Sequence, residues 1–158
     1  MGHEPWWAQR LSRPHSLAWN RRKPVLLKTR EGSHLGLKLA LRYEIVRVPQ
    51  DRDSGPYRVQ TLAYEYSVQR EDGTEMVAFH WHPFGDSPVT TPHFHVGSTV
   101  LAPDQVITGK LHVPTSRIAV EQVLRWCITE LGVSALRDDW ERVLNDGEDV
   151  FKLSRSWG

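Results

Sequence analysis

Cysteine is nearly absent from the sequence: Cys127 is the only one among 158 residues, so no internal disulfide can form. No apolar run approaches the ~20 residues that a membrane-spanning helix needs. The first ten residues, MGHEPWWAQR, contain no apolar stretch of the kind that a secretory signal has. We therefore expect a cytoplasmic protein that does not associate with a membrane.

Several motifs that carry chemistry are absent as well. The sequence has no glycine-rich phosphate loop, no cysteine cluster and no HExxH zinc motif, and it shows no internal repeat. Its hydrophobic content of 39% and charged content of 25% are ordinary for a soluble globular protein. A chain of this length can form one domain with a substantial core. Because the motifs named above are absent, any chemistry must come from other residues.

The net charge of +1 hides an uneven distribution of charge. Residues 1–30 carry seven basic side chains and one acidic side chain, so this segment is +6 and the remainder is −5. The segment also contains the aromatic side chains Trp6, Trp7 and Trp19. A basic, tryptophan-containing arm can follow a phosphate backbone and stack on bases. The other interpretations are a poorly ordered terminus with incidental charge and a contact with an acidic partner.

The hydrophobic pattern predicts strands first and helices afterwards. Apolar residues alternate with polar ones from residue 35 to residue 43, which is typical of a strand, and residues 119–131 and 136–144 have helical spacing. We expect an α+β fold, in which a curved antiparallel sheet of four or five strands has two C-terminal helices packed on one face. Residues 25–158 form this single domain, and residues 1–24 form an irregular, basic, tryptophan-containing N-terminal arm.

The dipeptide Asp72-Gly73 predicts the register of a hairpin. In a two-residue turn Glu71 pairs with Thr74, and the strands on either side are then aligned residue by residue. This alignment places Tyr66 opposite Phe79 on an apolar face and Glu65 opposite His80 on a polar face. The separation of apolar from polar side chains is nearly complete, which favours this register over one shifted by a bulge.

Half of the histidines lie close together in the sequence. Four of the eight fall within residues 80–95, in two His-X-His pairs, His80-Trp81-His82 and His93-Phe94-His95. Because side chains alternate along a strand, both imidazoles of each pair lie on one face. If the next strand continues the meander, all four histidines share the polar face with Glu65.

General acid–base catalysis without a metal is the preferred interpretation of this face. Glu65 or His80 is the candidate base, and the candidate acids are His82, His93 and His95. RNA cleavage uses such a pair, with a base for the 2′-hydroxyl group and an acid for the 5′-oxygen. We therefore expect a small ribonuclease that needs no cofactor. We expect cations to contact the RNA. The candidates are Arg21, Arg22 and Lys23 of the arm, or Lys38, Arg42 and Arg58 of the sheet.

Two other interpretations of the histidines stay open. The His-X-His pairs can supply three or four nitrogen ligands to Zn²⁺, Ni²⁺, Cu²⁺ or Fe²⁺ in a metal-binding protein or enzyme. Alternatively, the histidines stabilise loops in a non-catalytic module that binds protein or nucleic acid. A fifth histidine, His112, can join the cluster, but a single histidine before a helix more often has a capping or packing role.

Part of the sequence resembles a family of bacterial proteins. The segment from Tyr64 to Gly97 combines Tyr64-Glu65-Tyr66, the Asp72-Gly73 hairpin, His80-Trp81-His82 and Pro92-His93-Phe94-His95-Val96-Gly97. In this pattern it is similar to TumE-like toxins of toxin–antitoxin pairs. The resemblance implies a small ribonuclease toxin whose partner is a helix-turn-helix antitoxin protein. It also implies functional roles for Tyr66, His80, His93 and His95.

Overall fold

The fold combines one antiparallel sheet with two helices. A computed structural model describes residues 13–51, 55–98, 100–101 and 111–154. Within these residues there are seven strands and two α-helices: β1 (His15–Ala18), β2 (Val25–Lys28), β3 (His34–Asp51), β4 (Gly55–Arg70), β5 (Glu75–Trp81), β6 (His93–Val96), β7 (Val113–Pro114), α1 (Val120–Thr129) and α2 (Trp140–Ser154). The expected α+β fold is confirmed, but the sheet has more strands than the four or five expected.

The two long strands β3 and β4 form the middle of the sheet. Its order is β1-β3-β4-β5-β6-β7, and every neighbouring pair is antiparallel. Strand β2 also pairs with β3, at residues 34–37, while β1 pairs with residues 40–43 of the same edge. The chain thus forms a meander from β3 to β7, with β1 and β2 placed end to end along one edge.

The additional strands lie where the sequence has no strand period. Strand β1 falls within residues 1–24, which we expected to be irregular, and its four residues have no alternation of apolar and polar side chains. Strand β7 has only two residues, too few for any period. Both strands form because each pairs with a longer neighbour: β1 pairs with β3, and β7 pairs with β6. Residues 1–12 of the expected arm, with Trp6 and Trp7, lie outside the described residues.

A left-handed turn joins β1 to β2. Asn20, Arg21 and Arg22 have φ values of 43°, 53° and 69°, a region that costs non-glycine residues about 1 kcal/mol each. Asn20 holds the turn closed, because its backbone carbonyl accepts a hydrogen bond from the backbone N–H of Lys23 at 3.0 Å. Its side-chain Nδ2 also donates to the carbonyl of Pro24 at 3.3 Å.

The β4–β5 hairpin has the expected register and a different turn. Tyr64 lies opposite Trp81 and the pairing continues to Val68 opposite Val77, as the sequence predicts. The two-residue turn is wrong, however, because the backbone N–H of Arg70 bonds to the carbonyl of Thr74 across a three-residue loop. A bulge after Val68 compensates for the added loop residue and restores the alignment of the two faces.

Helix α1 covers the apolar face of the sheet. Buried side chains of β3, β4 and β5 pack against Val123 and Cys127 of the helix in one core. The sheet side chains in this core are Leu37, Leu39, Tyr64, Tyr66, Val68 and Trp81. The rings of Tyr64 and Tyr66 are stacked, with centroids 4.7 Å apart. The histidines lie on the opposite face of the sheet, away from α1.

We expect Tyr64→Phe to lower the free energy of unfolding by about 1–2 kcal/mol, since it removes one hydrogen bond in the core. The hydroxyl oxygen of Tyr64 accepts a hydrogen bond from the backbone N–H of Ile118 at 3.1 Å, just before α1. Urea denaturation measures the change. Tyr66→Phe is the matched control and should shift stability by less than about 0.5 kcal/mol. Equal losses in both variants would contradict this role of the hydroxyl group.

Helix α2 extends well beyond residue 144, where the helical spacing of the sequence ends. Gly147 lies inside α2, which runs to Ser154. A Cβ atom at Gly147 would lie 2.7 Å from the Oε1 atom of Glu121, so this glycine lets α2 approach the first turn of α1. The Nη2 atom of Arg125 also donates to the Oδ1 atom of Asn145 at 2.8 Å, which joins the two helices.

Candidate metal centre

Three neighbouring strands bring the two His-X-His pairs together. Glu65 on β4 lies opposite His80 on β5, which in turn lies opposite His93 on β6. His95 lies opposite Ala78, and side chains two positions apart on a strand share a face. The face of the sheet that carries His80, His82, His93 and His95 is called the histidine face below. Its members are those that the sequence placed together.

Three of these imidazoles converge on one point. Ring centroids lie 5.0 Å apart between His80 and His95, 5.0 Å between His93 and His95, and 5.8 Å between His80 and His93. Each ring offers one nitrogen, and the three nitrogens lie within 4.8 Å of one another. His82 lies to one side, with its centroid 5.4 Å from that of His80.

A fifth histidine, His112, lies beside the cluster, just before β7. The ring of His112 lies 4.4 Å from that of His95 and 4.8 Å from that of His93. Because Phe94 pairs with Val113, His112 precedes β7 at the position facing His95. The sequence left open whether His112 joins the cluster or has a capping or packing role, and the structure places its ring beside the cluster. The signal that identifies it is the pairing of β7 with β6, and a two-residue strand gives no sign of that in the sequence.

The hydrogen bond of His93 fixes its tautomer. Its Nδ1 atom lies 2.7 Å from the backbone carbonyl oxygen of Thr91, and the residue is 3% exposed. A carbonyl oxygen only accepts hydrogen bonds, so Nδ1 carries the proton and donates. In the neutral ring this leaves the lone pair of Nε2 available for a ligand.

His80 contains a buried nitrogen without a partner. Its Nε2 atom is inaccessible to solvent and has no hydrogen-bond partner among the described residues. Burial lowers the pKa of His80 to about 4, helped by the charge of His95 and opposed by that of Glu65. The ring is therefore neutral at pH 7. Burial, with the charges of His112 and His93, also lowers the pKa of His95.

Two carboxylates, Glu65 and Glu75, lie near the histidines. The Oε1 atom of Glu65 lies 3.5 Å from the Nζ atom of Lys38, and both side chains are about one-third exposed. Across the described residues, no hydrogen bond joins Glu65 to a histidine. A second carboxylate, Glu75, accepts a hydrogen bond from the hydroxyl of the buried Ser67 at 2.7 Å. The negative charges of Glu65 and Glu75 both act on His80.

The cations that we expected to bind nucleic acid occupy different surroundings. Arg21, Arg22 and Lys23 are all exposed and follow β1. Of the three, Arg22 lines a groove that extends along the histidine face to His82. Of the sheet cations, Lys38 pairs with Glu65, and Arg42 lines the same groove as Arg22. The structure therefore places Arg22 and Arg42 in one groove with His82.

Metal-free protein should lose stability as the pH falls from about 6.5 to 4. The unfolded chain protonates His80 near pH 6.5, whereas the folded chain resists protonation until about pH 4. The contribution of His80 is thus complete above pH 6.5 and lost through this window, by at most about 3 kcal/mol. Urea denaturation at several pH values measures it. His80→Gln should flatten the curve within this window, and an unchanged curve would contradict the assignment.

Comparison with known proteins finds no matching family model, no matching curated protein and no matching solved structure. The similarity to TumE-like toxins therefore stays a prediction from the sequence. Neither helix among the described residues combines the length and apolar character that crossing a membrane requires.

Proposed function

We propose that the histidine face is a metal centre, in which His80, His93 and His95 bind one divalent transition-metal ion. The observations that carry this proposal are the convergence of one imidazole nitrogen from each of His80, His93 and His95 within 4.8 Å of one another, and the buried Nε2 atom of His80 that has no partner among the described residues. Nitrogens bound to one zinc ion at about 2.0–2.1 Å lie about 3.4 Å apart in a tetrahedral site. Binding therefore requires the rings to rotate so that these nitrogens move closer by up to about 1.4 Å.

The surroundings of the three nitrogens support metal binding. Histidines that bind metals usually donate their other N–H to a carbonyl or carboxylate, as His93 does to Thr91. Metal binding also requires neutral imidazoles, and His80 is neutral at pH 7 because burial lowers its pKa to about 4. The nearby carboxylates of Glu65 and Glu75 offset the charge of a dication that three neutral ligands leave uncompensated.

Three protein ligands leave a coordination position open for water or substrate. Zinc with three protein ligands lowers the pKa of its bound water to about 7 and supplies hydroxide at neutral pH. Hydrolysis is therefore the class of reaction that this centre supports best. His82 and His112 adjoin the three ligands and can accept or deliver protons there. Imidazole ligands suit zinc, nickel, copper and iron.

Calorimetric titration with zinc chloride tests the proposal. The protein is first stripped with a chelator and exchanged into chelator-free buffer. We expect saturable binding of one zinc ion per chain at pH 7, where His80 is neutral and available to bind. Magnesium, which prefers oxygen ligands, should not compete. Absence of saturable zinc binding to folded protein would reject the metal centre.

Metal-independent cleavage of RNA is the second candidate function. The observation that favours it is the groove in which Arg22 and Arg42 face Glu65 and His82, because it combines cations suited to phosphate with groups that transfer protons. His80 is neutral at pH 7 and cannot serve as the acid in this scheme. The antitoxin partner of such a ribonuclease rests on the sequence resemblance.

Incubation with mixed RNA, with and without EDTA, separates the two candidates. EDTA-resistant cleavage that His82→Ala abolishes would support acid–base catalysis and contradict a hydrolytic role for the metal. Cleavage that EDTA stops and zinc restores would support the metal centre as the site of hydrolysis. His34→Ala, on β3 beside Glu71, is the control for loss of a histidine elsewhere.

A further inference from the structure

The groove beside the histidine face has the dimensions of a site for a small polar group. It is open to solvent and has a volume of about 190 Å³, which is below the roughly 300–1,000 Å³ of pockets for drug-sized ligands. Its lining includes Ser16 of β1, Arg22 of the left-handed turn, Arg42 of β3 and Glu65 of β4, and it ends at His82.

Small side chains form the floor of this groove. Arg42 lies opposite Ala63, and the preceding pair on the same face is Ala40 opposite Glu65. Ser16 lies opposite Arg42 on the other side, so three neighbouring strands contribute to one row. Because Ala40 and Ala63 are short, longer side chains surround a depression. Arg22 and Arg42 are both exposed and line this groove.

The two arginines are free to bind an anion. Within the described part of the chain, neither Arg22 nor Arg42 has a hydrogen-bond or ion-pair partner. The acid in the same groove, Glu65, is paired with Lys38 instead. A guanidinium group presents a rigid fork of donors that matches the oxygens of phosphate.

The backbone that carries Arg22 is held in an unfavourable conformation. Three successive non-glycine residues, Asn20, Arg21 and Arg22, have positive φ values. Sparsely populated backbone conformations cluster at ligand-binding sites, where the surrounding structure maintains them. Here the turn places Arg22 against the groove, whereas Arg21 does not line it.

We infer that this groove binds a phosphate group of the substrate, with Arg22 and Arg42 as its ligands. Two guanidinium forks match the three or four oxygens of a phosphate better than the two oxygens of a carboxylate. The end of the groove, His82, adjoins the metal ligand His80, so a bound phosphate ester would have its remainder near the metal. This assignment of a phosphate-bearing substrate rests on the proposed metal centre, although phosphate binding itself can be measured without metal.

Titration with inorganic phosphate tests the groove, both in stripped protein and in zinc-loaded protein. We expect saturable binding to stripped protein that Arg22→Gln and Arg42→Gln each weaken at least tenfold. Arg21→Gln, the matched control, removes an equal charge from the same turn and should change the affinity less than twofold. Equal weakening by Arg21→Gln would indicate nonspecific attraction and overturn the inference. Absence of phosphate binding to stripped protein would also overturn it.

Two further arms identify the source of the phosphate and separate the two proposals. A 5′-mononucleotide and a short single-stranded RNA are titrated in the same way, and sensitivity of either to Arg22→Gln supports the groove. The ligand that binds more tightly identifies the source of the phosphate. Tighter binding of the mononucleotide indicates a small ester, and tighter binding of the RNA indicates a polymer. Zinc affinity of Arg22→Gln should equal that of the wild type. Phosphate binding without any zinc binding would reject the metal centre alone, and zinc binding without phosphate binding would reject the groove alone.

Discussion

His93→Ala should weaken zinc binding by about 100-fold or more. Loss of a second-shell partner alone costs about 10–100-fold in metal affinity, so loss of a ligand nitrogen should cost at least as much. His93 is the most informative ligand to remove, because its tautomer leaves Nε2 free for metal. Competition with a chromophoric chelator measures the two affinities on a common scale.

The same variant should lose the stabilisation that zinc gives the wild type. Zinc at about 1,000 times its dissociation constant adds about 4 kcal/mol to the free energy of unfolding. In a domain of this size, each kcal/mol shifts the melting temperature by about 2–4 °C. His93→Ala should show little of this shift at the same zinc concentration. The control is His34→Ala, a histidine of β3 that is 38% exposed and beside Glu71. Equal zinc binding in all three proteins would contradict the ligand assignment.

Gly97→Ala should destabilise the protein by about 3 kcal/mol or more, because the added Cβ atom has no space. It would lie 1.9 Å from the backbone carbonyl oxygen of Glu75 and 2.9 Å from the carbonyl carbon. The clash is with backbone, so no side-chain rotation relieves it. Gly97 follows β6 directly, and its N–H donates to the carbonyl of Met76 at 2.7 Å. The substitution must therefore push β6 away from β5.

The site should respond to this displacement as well. Since β6 carries His93 and His95 while β5 carries His80, zinc affinity of Gly97→Ala should fall together with its stability. Gly32→Ala is the matched control: Gly32 has a φ of 90° and open space around it, so only backbone strain of about 1 kcal/mol is added. Wild-type stability of Gly97→Ala in urea denaturation would contradict the tight contact between β5 and β6.

The two faces of the sheet could be predicted because the alternation of apolar and polar residues repeats over several positions of each long strand. Alternation in β4 and β5 sets which residues face the core, and a one-residue slip would mix Tyr64 and Tyr66 with the histidines. The turn itself could not be predicted in the same way. A three-residue loop with a compensating bulge gives the same faces as a two-residue loop, so the pattern does not distinguish them.

Elements that depend on their neighbours were the ones missed. Strand β1 has four residues and β7 has two, and both form because an edge of a longer strand is available to pair with them. The extent of α2 depends on packing, since Gly147 serves close contact with Glu121 rather than ending the helix. Such information lies in the tertiary structure and not in local composition.

The candidate site could be predicted in its membership but not in its chemistry. Four histidines of the face follow from spacing alone, whereas His112 follows only from the pairing of β7. The tautomer of His93 depends on the carbonyl of Thr91, and the unpartnered Nε2 of His80 depends on burial. Because of these features, we favour a metal centre over the metal-free ribonuclease that the sequence favoured.

X-ray absorption spectroscopy at the zinc edge of the zinc-loaded protein tests the metal centre most directly. The proposal predicts three imidazole nitrogens and one further light atom around zinc, at about 2.0–2.1 Å. His93→Ala, loaded at a higher zinc concentration, should lose one imidazole from this count. A zinc environment of oxygen atoms without imidazole scattering would contradict the central claim.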